Sequence, residues 1–259
     1  MKKILQISFT VILVAGVLFL LGFADHGHQA KVYRQFTVEL LNSTDQSLIT
    51  EPEIREMIRE KFGDIEGSGM TSVNLHTLEN FIRNNPYISS CEVYQKLGGT
   101  LILIARVREP LVRVINMDLQ HYLIDQNGFL IPVNPDRPSH VMIANGFIDD
   151  SFVSLDGREI PLSHYPDQSM LKQIYTVAFH ISCDPFLRSF IDQVYVTESQ
   201  EMELVPKIGH QAIIFGQADD TVEKLENLKI FYHSVMNKIN WKTYKTINLK
   251  YKNQVVCIK

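Results

Sequence analysis

The stretch "NPYISSCEVYQKLGGTLILIARVREP", Asn85 to Pro110, sets the organisation of the chain. Tyr87 to Gln95 and Leu101 to Glu109 are rich in β-branched and aromatic residues, as strands are. Lys96 to Thr100 separates them, and Gly98-Gly99 within it suits a tight reversal. The whole reads as a β-hairpin. Past Glu109-Pro110 the character of the sequence changes, so the hairpin also marks the end of one folding unit.

Working back from the hairpin, two amphipathic helices precede it. "TEPEIREMIREKF" opens with Thr50 as N-cap, places Glu53 at capping-box spacing, and tolerates Pro52 in its first turn. Ile54, Met57, Ile58 and Phe62 share one face. After a Gly/Ser turn at Gly67–Gly69, Asn74 caps a second helix whose apolar face is Leu75, Leu78, Phe81 and Ile82; Pro86 marks its end. "VYRQFTVELL" before them is a strand. Residues 32–108 thus read strand–helix–helix–strand–strand, with both helices able to cover one face of a small sheet.

Working forward, short strands with turn signals dominate: "PLVRVIN", "HYLID", "FLIPV" and "VMIANG". A helix from about Asp167 to Ile181 carries Met170, Leu171, Ile174 and Ala178 on one stripe. "IDQVYVT", "EMELVP" and "QAIIFG" continue as a strand meander. A long helix near Asp220 has Glu223 at capping-box spacing, with Val222, Leu225, Leu228, Tyr232, Val235, Met236 and Ile239 as its expected buried face. The closing "TINLKYKNQVVCIK" alternates with period two. Ile247, Leu249, Tyr251, Val255 and Cys257 share one face, and Asn253 is the polar exception. As a single strand over 246–258 it would leave a row of backbone groups at a sheet edge, which proteins usually cover or blunt. Residues 109–259 form a second, strand-rich α+β domain.

The other end of the chain bears on the compartment. After Lys2 and Lys3, Ile4 to Ala24 contains no charge, and at about 1.5 Å per residue it spans roughly 30 Å, the thickness of a bilayer's hydrocarbon core. It is longer than a signal-peptide core, which favours an uncleaved anchor over a cleaved leader. The lysines place residues 1–3 in the cytoplasm, 25–31 as a linker, and the rest outside. With 259 residues, 45% hydrophobic and 21% charged, the chain has ample material for a core. A net charge of −4 without a basic run offers no source of nucleic-acid affinity. Cys91, Cys183 and Cys257 are far apart, so neither a zinc site nor a disulfide framework is indicated.

These residues resemble a known family. The 32–108 pattern is similar to a POTRA domain, and the opening stretch resembles the end of that domain in FtsQ/DivIB bacterial cell-division proteins. Asn85 to Ile88, Val93, Gly99 to Leu101 and Val107 to Pro110 carry the likeness. Tyr122 to Pro132, Leu204 to Gly216, Glu223 to Tyr232 and Ile247 to Tyr251 resemble the family's β-domain, and the wording of "REPLVRVIN" and "NQVVCIK" resembles its Bacteroidota branch. The resemblance implies a non-enzymatic divisome scaffold of the inner membrane, enriched at the septum. Such a scaffold holds FtsB/DivIC-like and FtsL-like bitopic partners and helps control septal peptidoglycan synthesis. It also implies a partner-binding segment at Tyr251, Lys252, Asn253, Gln254 and Val255. Asn253-Gln254 stands where the enterobacterial version has a small Ser-Gly pair.

Two other classes remain open: a POTRA-containing envelope assembly or secretion component, and a membrane-tethered envelope enzyme. A transmembrane barrel needs many alternating strands of about ten residues, for which the chain has no room. Ser169–Lys172 matches the SxxK of penicillin-binding enzymes, but neither S-D-N nor K-T-G follows it. Asp25 to His28 offers two imidazoles without a third convincing ligand. No catalytic, cofactor or metal site is expected.

Overall fold

The computed structural model describes residues 32–44, 47–152, 158–236, 238 and 243–259, together with Gly16. The expected anchor, the cytoplasmic end, the linker and Asp25–His28 therefore lie outside the described residues, that one glycine apart. Among the described residues no helix is long and apolar enough to cross a membrane. The chain divides into two compact units. One holds residues up to Leu41, Ile49–Asn84 and Ile88–Arg106, and the other Asn42–Leu48, Asn85–Tyr87 and Val107–Lys259.

The first unit is a three-stranded sheet with two helices. Strand β1 (Gln35–Leu41) precedes α1 (Glu51–Phe62) and α2 (Leu75–Arg83); β2 (Ile88–Lys96) and β3 (Thr100–Val107) complete the sheet in the order β1-β3-β2. The capping box at Thr50 closes, with the Glu53 carboxylate accepting the Thr50 N–H at 2.7 Å. Asn74 caps α2 by accepting from the Thr77 N–H at 3.1 Å. Ile54, Ile58, Leu78 and Ile82 are fully buried, as the helical stripes require. Gly98 and Gly99 turn the hairpin at φ +99° and +92°, a region that favours glycine. The β1–β3 pairing is parallel, with Gln35 opposite Thr100 and Leu41 opposite Arg106. Both edges are blunted by side chains. Glu66 accepts the Phe36 N–H at 3.0 Å, Arg55 donates to the Phe36 carbonyl at 3.1 Å, and Arg83 donates to the Cys91 carbonyl at 3.2 Å. Cys91 is a free thiol, and burial pushes its pKa up to about 12.

The second unit is a mixed ten-stranded sheet. Its strands are β4 (Pro110–Ile115), β5 (His121–Asp125), β6 (Phe129–Pro132), β7 (Met142–Gly146), β8 (Ile160–Pro161), β9 (Ile191–Val196), β10 (Met202–Pro206), β11 (Ala212–Gly216), β12 (Thr246–Asn248) and β13 (Val256–Ile258). They are ordered β13-β12-β11-β10-β9-β7-β4-β5-β6-β8. Three helices, α3 (Met170–Cys183), α4 (Pro185–Phe190) and α5 (Thr221–Phe231), pack on one face, the last continued by a π-helical turn over Tyr232–Met236. Leu171, Ile174, Ala178 and Leu228 meet Val112, Val194, Ile213 and Ile247 in that core. On the opposite face, Leu48 seals Leu123 and Ile131, and the Leu48 carbonyl accepts from Asn134 Nδ2 at 2.8 Å.

Two expectations for α5 are corrected. Val222 is not in its buried face but 63% exposed. Asp220 takes a left-handed φ of +46° and its carboxylate makes no cap, so no box forms with Glu223. Thr221 and Lys224 are buried instead, and the Lys224 ammonium reaches the Gln217 carbonyl at 3.0 Å and Asp219 at 2.6 Å. The helix is rotated so that its first turn buries a capped amine. Ile239 lies outside the described residues.

Helix α4 was not anticipated, although Asp184-Pro185 is a helix-start signal. Asp184 Oδ1 accepts the N–H groups of Phe186 and Leu187 at 2.9 and 3.0 Å, and Oδ2 accepts from Lys229 at 3.1 Å. The Leu187 N–H above all, with help from Lys229, holds this carboxyl below its ordinary 3.8. Because its folded pKa is depressed, its contribution is present at neutral pH and disappears as pH falls through and below that value. Asp184→Ala should cost about 0.5–2 kcal/mol at pH 7. Urea unfolding of both proteins should show the difference shrinking by pH 3.

Candidate functional site at the sheet edge

The expected single strand over 246–258 is corrected by the structure. It is two short strands, β12 and β13, folded back on each other antiparallel with Ile247 opposite Cys257. The chain turns between them because Asn253 sits at φ +57°, where asparagine is tolerated far better than most residues. The turn is held by the Gln254 N–H on the Tyr251 carbonyl at 3.4 Å and by the Asn253 N–H on Glu223 Oε1 at 3.2 Å. The α5 carboxylate that does not cap its own helix thus secures this turn.

Each expected binding residue has a definite place. Tyr251 is not on the buried face but 51% exposed at the start of the turn. Lys252, Asn253 and Gln254 are exposed around it, and Val255 packs half-buried against the core. Of the inward series, Ile247 and Leu249 are buried and Cys257 is half-buried, its thiol pushed up by burial. The five residues form one contiguous turn beside the sheet edge and are not part of a strand.

β13 is the edge strand at this end of the sheet among the described residues. Beneath it, β12 pairs parallel with β11, matching Ala212 to Thr246 and Ile214 to Asn248. Cys257 faces the helix-covered core. Val256 and Ile258 face the other way and are 38% and 58% exposed. Lys250, just before the turn, is anchored to Glu201 at 2.5 Å, and this carboxylate raises its pKa. Val256 and Ile258 were missed as edge residues. Their signal was Cys257, whose inward place forces both neighbours outward.

The other candidates have local roles. Ser169 Oγ accepts the Lys172 N–H at 3.3 Å and caps α3, while the Lys172 amine pairs with Asp167 at 2.7 Å. Among the described residues no group of three or more His, Cys, Asp or Glu could hold a metal. Asp125 is a turn residue and also a buried ion-pair partner. Its Oδ1 accepts the Asn127 and Phe129 N–H groups at 2.9 and 2.8 Å, and its Oδ2 takes Arg108 at 2.8 Å.

A POTRA-type βααββ unit and a strand-rich α+β unit whose sheet has β13 at its edge define a two-domain architecture. Residues 31–105 match a POTRA-like domain model, and residues 109–258 match the model described as FtsQ/DivIB, C-terminal related. The chain belongs to the FtsQ/DivIB family. It is 23% identical over 210 residues to the cell division protein FtsQ of Geotalea daltonii, covering 79% of this chain and 72% of that one. It is 28% identical over 197 residues to the cell division protein DivIB of Clostridium acetobutylicum, covering 73% and 71%. To the cell division protein FtsQ of Rickettsia bellii it is 27% identical over 107 residues, covering 41% and 38%.

Proposed function

We propose that this protein is a non-enzymatic scaffold of the cell-division machinery, anchored in the inner membrane by residues 4–24. Its POTRA domain (32–108) and β-domain (109–259) would lie outside the cytoplasm, concentrated at the septum. Its partners are bitopic division proteins of the FtsB/DivIC and FtsL type, through which it helps control septal peptidoglycan synthesis. Family membership supports the division role, and the open β13 edge is the observation that carries the mode of binding. A partner strand adds to β13, with Tyr251 and the turn to Val255 as its flank.

The magnitudes favour a composite site. β13 is three residues long, so its outer side offers two or three backbone hydrogen bonds. At roughly 0.5–1.5 kcal/mol net each they contribute about 1–4 kcal/mol, below the approximately 4–15 kcal/mol that association costs. Side chains must supply the rest. Tyr251 is a rigid aromatic of the kind that dominates binding hot spots, and Val256 and Ile258 add apolar area. Anchoring both partners in one membrane raises their effective concentration.

Proline tests the backbone part. At Asn253 it would break the turn, because its φ near −65° is incompatible with +57°. Cys257→Pro and Ile258→Pro are the informative pair, since one of two successive N–H groups points away from β12. That variant should lose co-purification with the FtsB/DivIC-like partner while keeping the wild-type melting temperature, and Tyr251→Ala should weaken capture. If both proline variants and Tyr251→Ala stay folded and capture the partner fully, strand addition at β13 is wrong. A fluorescent fusion spread uniformly over the membrane would contradict the division role itself.

A further inference from the structure

A cleft of about 560 Å³ opens in the second unit where β4, β7 and β9 begin. These three strands run parallel to one another, so their N-terminal ends share one side of the cleft. Its size falls within the range of small-ligand sites. Leu111, Met142, Ile181 and Ile191 give it an apolar wall. Arg188, Lys207, His140 and Asp192 supply its charged and titratable rim.

Arg188 and Lys207 come from separate elements, the last turn of α4 and the residue following β10. The Lys207 N–H donates to the Phe190 carbonyl at 2.8 Å, which fixes that residue at the end of α4. Neither cation forms an ion pair among the described residues. A basic residue at a helix C-terminus complements the helix dipole, which accounts for part of Arg188. It does not account for Lys207, which sits on no helix. Among the described residues the rim therefore holds a guanidinium and an ammonium that form no ion pair, together with one carboxylate, Asp192.

We propose that this cleft binds a short acidic peptide. Arg188 takes a carboxylate through its two-pronged donor set, and Lys207 supplies a second positive charge. Asp192 accepts an amine or amide N–H, and it disfavours a compact polyanion such as phosphate. The apolar wall receives an aliphatic side chain between the charged ends. No residue of this site belongs to β13 or to the 251–255 turn, so the proposal stands apart from the edge reading and can fail without it.

The test is calorimetric titration of the full chain in detergent with the tripeptide Ala-Leu-Glu, both ends free. Saturable binding with Kd on the order of 0.1–1 mM is expected. Arg188→Glu with Lys207→Glu should weaken it about tenfold or more, whereas Lys96→Glu in the first unit should leave it unchanged. Three results would each overturn the proposal: no saturable heat, equal binding of the C-amidated peptide Ala-Leu-Gln, which keeps the amine and lacks both carboxylates, or displacement of the tripeptide by an equal concentration of inorganic phosphate.

Discussion

Asp125→Ala should destabilise the second unit by about 3–5 kcal/mol, the range expected when one member of a buried ion pair is removed. Asp125 is fully buried and the Arg108 side chain is 4% exposed. The alanine variant leaves the guanidinium under Phe129, 4.5 Å from its ring centroid, with Glu159 at 3.1 Å as the remaining anion. Arg108 Nε already lacks a partner among the described residues, so the cation has little left to satisfy it. The same substitution frees the Asn127 and Phe129 N–H groups at the β5–β6 turn. Asp125→Asn keeps an acceptor for the turn and removes only the charge, so it should cost less. Thermal unfolding of the full chain should show a lowering of about 6–20 °C for alanine and a smaller one for asparagine. Equal effects would mean that the ion pair, not the turn, carries the stability.

Gly146→Ala should be nearly as damaging, through the backbone alone. Gly146 sits at φ +104° opposite Val196 in the parallel β7–β9 pair. A Cβ there would lie 2.2 Å from the Val196 carbonyl oxygen and 3.0 Å from the Val196 nitrogen, both main-chain atoms that cannot swing aside. Strain at the disfavoured φ and overpacking against the neighbouring strand each cost about 1–3 kcal/mol, so a total on the order of 2–6 kcal/mol is expected. Gly63→Ala is the control. It has φ +76° but nothing within 4 Å of the added carbon, so it reports the strain by itself. A melting temperature equal in the two variants would remove the steric part of this account.

The features legible in the sequence are those written in local patterns. The β2–β3 hairpin, the caps at Thr50 and Asn74, and the stripe Met170, Leu171, Ile174 and Ala178 depend on residues a few positions apart. Strand direction is not written that way. Alternation with period two is the same for either polarity, so the parallel pairs β1–β3, β4–β7, β7–β9 and β11–β12 were invisible. The Arg108–Asp125 bond joins residues seventeen apart, and neither neighbourhood announces the other. At the edge, the alternation ran on through Asn253, where the backbone in fact reverses. That residue was the one break in the pattern, and it marked the turn that moved Tyr251 from the core into solvent.

The order β1-β3-β2 has a kinetic consequence for the first unit. The β2–β3 hairpin closes over three residues, Leu97 to Gly99, whereas Gln35 meets Thr100 only after the whole helical pair has intervened. Each doubling of loop length adds about 0.6 kcal/mol of closure entropy, so β1 faces roughly 2–3 kcal/mol more than the hairpin does. Once the hairpin and α2 have assembled, β1 joins last, and in the native state it is the first strand to detach. Native-state hydrogen exchange should find the β1 amides opening at lower free energy than those shared by β2 and β3. Uniform protection across all three strands would show that the sheet opens as one piece.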